Sequence, residues 1–187
     1  IKQLLRYQNM RVDDDDSFEG VPELFIFTQV TVATTNNQAR YGSVGTRASR
    51  YLQWKDTYPH SPEDVLESIS DNVREEAYHQ VMEYAEECGL QMDGPLTAQE
   101  TLVHGIMTPP QLLDLIKNYI ITEEEIASIK KIVPRYMQYR AADRAVERLI
   151  DPPEREPWRG EGADPRPDPR GGYIWHTQGS GKSLTMA

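Results

Sequence analysis

A short segment near the carboxyl end of the chain contains the residue types that a phosphate-binding loop requires. A triphosphate is held by converging backbone N–H groups, which requires glycine, while a lysine reaches the β and γ oxygens and a hydroxyl completes the Mg²⁺ shell. The segment comprises Gln178, Gly179, Ser180, Gly181, Lys182 and Ser183. We therefore expect ATP binding here, with Ser183 as a Mg²⁺ ligand.

The surroundings of this segment favour the same interpretation. The strict loop pattern begins with a glycine where this chain has His176, but helicase-type motors relax that position and use a glycine where Gly179 stands. The apolar residues 171–175 are predicted to form a strand before the loop, and a helix should begin after it, so that its positive end faces phosphate. The alternative is a chance glycine-rich segment. No acidic motor motif follows, so we expect the chain alone not to turn over ATP.

Composition restricts the class of protein. The chain has 187 residues, 38% hydrophobic and 27% charged, which corresponds to one ordinary domain or parts of two. No apolar run approaches the roughly 18 residues that a membrane-spanning helix needs, so no membrane partner is expected. Cys88 is alone, which excludes an internal disulfide framework and fits a cytoplasmic location.

Charge is distributed unevenly along the chain. Residues 1–60 contain seven basic and seven acidic residues, residues 61–130 three and fifteen, and residues 131–187 ten and eight. The net charge of −10 therefore comes from the middle third. Both ends remain free to contact a polyanion such as DNA.

The first third of the chain has the pattern of a helix followed by strands. Residues 1–11 predict a helix, and the β-branched and aromatic run at 23–35 predicts a buried strand. Asn36 and Asn37 favour a tight turn. A second strand over 38–44 would complete a hairpin, and 51–55 could form a third.

The remainder is predominantly helical in pattern. A helix is predicted to begin at Pro62, and 126–133 is ambiguous between helix and strand. Residues 151–172 contain six prolines and four glycines without periodicity and predict a loop. Further helices are predicted over 71–88, 96–107, 108–121 and 135–150.

Three stretches resemble the restriction (R) subunit of type I restriction enzymes. Residues 170–186, with Trp-His-Thr-Gln at 175–178, look like the first motor motif of that family. Gly-Val-Pro-Glu-Leu-Phe at 20–25 resembles the end of its nuclease domain, and 135–141 resembles the entry to its first motor lobe. The resemblance covers most of the chain.

The resemblance implies a mixed α/β architecture in three parts. Residues 1–58 would be the end of a PD-(D/E)xK-type nuclease domain, a β-hairpin plus a helix. Residues 59–130 would be an acidic helical connector. Residues 131–187 would begin a RecA-like P-loop lobe, with 151–172 as its Pro/Gly-rich loop.

The resemblance also implies an activity and partners. The family couples an ATP-driven translocase to an endonuclease that cuts unmodified duplex DNA far from the recognition site. It works with methylation (M) and specificity (S) subunits. Its metal-binding Asp and Glu-x-Lys would lie upstream of Ile1, so we expect this chain to be an inactive fragment of the whole subunit.

Three polar residues outside the loop become candidates through the resemblance. Gln3 and Tyr7 match a Q-x-x-x-Y motif that supports the nuclease site in related enzymes, and their spacing puts them on one helix face. Gln138 stands where a glutamine ahead of the motor lobe reads adenine through its amide. The alternatives are an ordinary amphipathic helix and a surface glutamine.

Two other functions remain open at this stage. The chain could be a helical connector that binds sister subunits, or part of a helicase-like ATPase without nuclease activity. An upstream Asp with Glu-x-Lys, and a downstream Asp-Glu motor motif, would favour the restriction subunit over both.

Overall fold

The structure is a computed structural model. It describes residues 1–10, 20–35, 37–68, 80, 87, 96–125, 128–160, 162, 164–178 and 181–186, with seven of these described by backbone alone (124, 125, 128–130, 182 and 184). The chain divides into two compact units, Ile1–Arg135 and Tyr136–Ala187. Each unit is described by itself.

The first helix is held by the segment that returns to it. α1 spans Lys2–Tyr7. The Gly20 N–H donates to Asn9 Oδ1 at 2.8 Å. A Cβ at position 20 would collide with the carbonyl oxygens of Arg6 and Tyr7. The close approach of the two backbones therefore requires glycine at the start of the Gly-Val-Pro sequence.

A β-hairpin follows, shorter than predicted. β1 (Thr31–Thr35) pairs antiparallel with β2 (Gln38–Gly42), and Thr35 lies opposite Gln38 at the closed end of the hairpin. Asn36 itself lies outside the described residues. The strand predicted over 23–35 is wrong at its start, because Pro22–Phe25 forms a 3₁₀ turn. Proline at the first helical position presets φ for such a turn, and this overrides the β propensity of the apolar residues after it.

The core of this unit is aromatic. Tyr41 and Trp54 are buried and meet edge to face, with ring centroids 5.6 Å apart. The Trp54 Nε1–H donates to the Asp56 carbonyl at 2.5 Å. The Tyr41 hydroxyl donates to the Pro134 carbonyl at 2.6 Å, and burial raises the pKa of Tyr41. The third strand predicted over 51–55 reduces to one bridge between Tyr41 and Leu52.

Three of the described helices pack around this core, and the first two of them begin with side-chain caps. Ser61 and Asp64 exchange hydrogen bonds of 3.1 Å at the start of the second described helix, and Thr97 and Glu100 form a capping box at the start of the third. The third and fourth helices each end in a π-helical turn, and Gly105 in the first of these lies against Trp54. The helices are α2 (Pro62–Ser68), α3 (Ala98–Leu102, then Val103–Met107) and α4 (Pro109–Asp114, then Leu115–Tyr119).

A second hairpin closes the unit. β3 (Ile121–Glu125) pairs antiparallel with β4 (Ser128–Ile132). β4 lies in the region that the pattern left ambiguous, whereas no strand was predicted over 121–125. The fourth helix ends at Tyr119 rather than at 121. Three consecutive glutamates disfavour a strand by propensity, so the cross-strand partner decides here. The helix predicted over 71–88 lies outside the described residues, apart from positions 80 and 87.

The second unit contains two helices joined by a long irregular segment. α5 (Tyr136–Ile150) matches the predicted helix, and α6 (Lys182–Met186) packs against it. Residues 151–172 contain no regular element where described, as predicted. The strand predicted over 171–175 is not formed, because no neighbouring strand pairs with it within the described part of this unit. Trp175 is accordingly 93% exposed.

Candidate functional site

The phosphate-loop sequence leads directly into a helix. Gly181 has φ of +81°, a left-handed conformation that L side chains rarely adopt. α6 begins at the next residue, Lys182. Gly179 and Ser180 lie outside the described residues, and the side chain of Lys182 is not described. The described backbone therefore has the turn-then-helix form that the sequence predicts, with glycine where the turn needs it.

Gln138 meets this loop from α5. Its side chain is only 5% exposed, and its Nε2 donates to the Gly181 carbonyl at 2.9 Å. The sequence singled out Gln138 as a reader of adenine, whereas in the structure one of its amide hydrogens points to the loop. The partners are 43 residues apart in the chain, so no sequence spacing could have indicated this bond.

A second residue of α5 holds the segment before the loop. Arg148 Nε donates to the Gly171 carbonyl at 2.9 Å. Gln138 and Arg148 are ten positions apart, which corresponds to about 15 Å along a helix. One helix therefore contacts both the phosphate-loop sequence and the segment that precedes it.

The Pro-rich segment contains a repeated Asp-Pro-Arg turn. The Arg166 backbone N–H and Nε each donate to Asp164 Oδ1 at 2.9 Å. Arg170 does the same with Asp168 Oδ1, at 2.9 and 3.1 Å. These hydrogen bonds lower the pKa of each aspartate to about 2, and the arginine side chain contributes more than the backbone N–H. In each turn the arginine is therefore ion-paired with the aspartate of the same turn. Arg166 also lies over the Trp158 ring, 5.5 Å from the ring centroid.

This geometry predicts a pH dependence for the segment. The folded-state pKa of Asp164 and Asp168 lies below the ordinary value, so both ion pairs are complete at neutral pH. They are lost as the pH falls from about 4 towards about 2. Carboxyl ¹³C shifts in NMR titrations should report both transitions near pH 2. Arg166→Gln removes the arginine side-chain bonds but leaves the backbone N–H bond, so it should raise the pKa of Asp164 part of the way to its ordinary range and leave that of Asp168 low; equal changes at both would contradict independent turns.

Two polar atoms beside the phosphate-loop sequence are buried without a partner. Within the described residues, neither His176 Nδ1 nor Thr185 Oγ1 has a hydrogen-bond acceptor or donor in reach. Unsatisfied groups of this kind are uncommon in folded proteins, and a bound ligand or water is one way to satisfy them. No cluster of three or more His, Cys, Asp or Glu side chains could hold a metal ion in the described part of the chain.

The second candidate pair lies on α1 in the first unit. Gln3 Nε2 donates to the Tyr7 hydroxyl at 2.8 Å, and both side chains are exposed. The predicted sharing of one helix face is therefore found in the structure. The nuclease role of the pair remains a prediction.

Comparison with known proteins finds one matching family and several similar proteins. The SWI2/SNF2 ATPase family matches residues 137–187, the region that contains Gln138 and the loop. The HindI endonuclease subunit, from a type I restriction enzyme of Haemophilus influenzae, is 29% identical over 170 residues. A protein described as the MjaIXP endonuclease subunit of a type I restriction enzyme, from Methanocaldococcus jannaschii, is 26% identical over 174 residues. No solved structure matches the chain.

These matches confirm the resemblance seen in the sequence. The second unit resembles a P-loop ATPase region. The chain is similar to endonuclease subunits of type I restriction enzymes, with matches along 90% and 93% of its length. It spans only 12% and 14% of the lengths of these two relatives. None of the described helices is long and apolar enough to cross a membrane.

Proposed function

We propose that this chain is part of the ATP-dependent, DNA-translocating endonuclease subunit of a type I restriction enzyme. The whole cytoplasmic protein would act with M and S subunits and cut unmodified duplex DNA away from the recognition site. One observation carries the proposal: the ATPase-family match coincides with the glycine turn at Gly181, in a chain whose relatives are endonuclease subunits. Residues 1–58 are assigned to the nuclease domain, 59–130 to the connector and 131–187 to the first RecA-like lobe.

The loop residues fit ATP with Mg²⁺. Gly181 allows the backbone to turn without a side chain in the way, and the N–H groups from Gln178 to Ser183 would hold the phosphates. Lys182 would neutralise the β and γ oxygens, and the Ser183 hydroxyl would complete the Mg²⁺ shell. Hydrolysis of ATP supplies the free energy for DNA translocation.

The nuclease contribution is assigned to the exposed pair on α1. Gln3 holds the Tyr7 hydroxyl through its amide, so the hydroxyl has a fixed orientation and can donate its own hydrogen to a DNA phosphate or to a metal-bound group. We assign no metal-binding carboxylate of the nuclease site to this chain. The pair would position substrate rather than activate water.

Two alternatives differ from this proposal in testable ways. A helicase-like ATPase without nuclease activity is favoured by the SWI2/SNF2 match alone. A subunit-binding module is favoured by the adjacent apolar side chains of Leu24, Ile26 and Phe27, which are all largely exposed, since such patches mark interaction sites. The first predicts no DNA cleavage by the full-length protein with its subunits, and the second predicts no ATP hydrolysis.

Gln3→Ala tests the nuclease assignment. In the full-length protein with M and S subunits and circular unmodified DNA, the change should reduce cleavage about tenfold, the effect of losing one hydrogen bond near a charged group. Tyr7→Phe removes the hydroxyl itself, which is the proposed donor to substrate, and should reduce cleavage at least as much. ATP hydrolysis should not change in either variant.

Lys2→Gln is the matched control, because Lys2 is an exposed neighbour on the same helix. It should retain full cleavage. If Gln3→Ala loses cleavage and ATP hydrolysis together, the pair has a folding role instead. If cleavage is unchanged in both Gln3→Ala and Tyr7→Phe, the nuclease assignment of the pair is wrong.

A further inference from the structure

A hydrogen bond to one peptide group links α5 to the phosphate-loop sequence. The Gly181 carbonyl accepts a hydrogen bond of 2.9 Å from Gln138 Nε2, and Gln138 is almost completely buried. The donor cannot easily move away, because α5 and α6 pack against each other. The carbonyl therefore points to a fixed side of the loop.

This contact also fixes the next N–H group. The peptide bond between Gly181 and Lys182 is planar and trans, so its carbonyl and its N–H point in opposite directions. With the carbonyl held by Gln138, the Lys182 N–H points away from that side chain. Gly181 can accept this orientation at φ of +81°, where another residue would be strained.

We propose that Gln138 is a positioning residue for phosphate binding: it holds the Gly181–Lys182 peptide so that the Lys182 N–H points to the triphosphate. This inference rests on the proposed use of the loop for ATP. It differs from adenine reading, because the hydrogen bond acts on the part of the site that all nucleoside triphosphates share. Loss of Gln138 should therefore weaken phosphate binding whatever base is attached.

The choice of ligands separates the two roles. ATP contains adenine, GTP contains a different base, and inorganic tripolyphosphate contains none. A positioning role predicts the same proportional loss for all three. Adenine reading predicts a loss for ATP alone, because the other two ligands never make the contact.

The experiment compares Gln138→Glu with the unchanged full-length protein. Glutamate has the same shape but presents an oxygen to the Gly181 carbonyl, so the bond is replaced by repulsion. Dissociation constants would be measured with Mg²⁺ by displacement of a fluorescent ATP analogue. We expect about five- to tenfold weaker binding of ATP, GTP and tripolyphosphate alike. Gln138→Leu, which removes the amide without adding charge, should behave in the same way.

Two controls complete the design. Glu147→Gln alters an exposed side chain of the same helix and should leave all three dissociation constants unchanged. Gly181→Ala keeps the backbone carbonyl but strains the turn at φ of +81°, so it should weaken all three ligands whatever residue stands at position 138. Thermal unfolding of each variant identifies any that fails to fold, and the proposal is then judged on those that fold.

Unchanged binding in both Gln138 variants would overturn the positioning role. So would a loss for ATP that exceeds the loss for tripolyphosphate by about threefold or more, a difference of roughly 0.7 kcal/mol. Lys182→Ala distinguishes this failure from failure of the proposed function. If Lys182→Ala weakens all three ligands and the Gln138 variants do not, only the positioning role fails; if Lys182→Ala has no effect either, the nucleotide assignment fails.

Discussion

Lys182→Ala is expected to abolish ATP hydrolysis by the full-length protein and, with it, DNA translocation and cleavage. The lysine ammonium is the group assigned to the β and γ oxygens, where negative charge must be neutralised as the phosphoryl group is transferred. Removing one such preorganised group lowers turnover by about a hundredfold or more. We expect DNA association to remain, because Lys182 is assigned to the nucleotide and not to DNA. Steady-state ATPase assays and DNA-binding assays on the same preparation measure both quantities.

Lys117→Ala is the matched control for this variant. Lys117 is an exposed lysine of the first unit, and its removal changes the net charge by the same amount. It should retain full ATP hydrolysis. Wild-type hydrolysis by Lys182→Ala would refute the assignment of the loop, whereas loss of DNA association as well would indicate general misfolding.

Trp54→Ala is expected to destabilise the first unit by about 3–5 kcal/mol, the usual effect of removing a large buried aromatic side chain. Trp54 is 1% exposed, meets Tyr41 edge to face and lies against Gly105. The indole also donates to the Asp56 carbonyl, so the change leaves a partly buried acceptor without this donor. The cavity and the lost hydrogen bond both lower the stability of the first unit.

Native-state hydrogen exchange in the full-length protein measures this effect. Peptides that cover β2 and α3 should lose at least a hundredfold of their protection, as about 3 kcal/mol implies. Trp158→Ala makes the same substitution at a side chain that is 41% exposed and should leave those peptides unchanged. Unaltered protection in Trp54→Ala would show that the aromatic pair is not the centre of this core.

Local sequence determined the parts of the protein whose interactions lie within a few residues. The phosphate-loop residues, the two-residue turn of the first hairpin, the helix at Pro62 and the long helix α5 were all predictable, because spacing, turn chemistry and helical period act locally. The shared helix face of Gln3 and Tyr7 followed from a spacing of four. The hairpin pairing, the helix at Pro62, α5 and the shared helix face are present in the described residues, whereas the phosphate-binding role of the loop remains a prediction.

Tertiary structure decided the features that depend on distant partners. The bond from Gln138 to Gly181 spans 43 residues, and the bond from Tyr41 to Pro134 spans 93. Strand formation followed the same rule: 121–125 became a strand because β4 pairs with it, whereas the apolar run at 171–175 has no pairing strand in the described part of its unit. A strand needs a neighbour to satisfy its backbone groups, and the sequence of one segment cannot specify whether that neighbour is present.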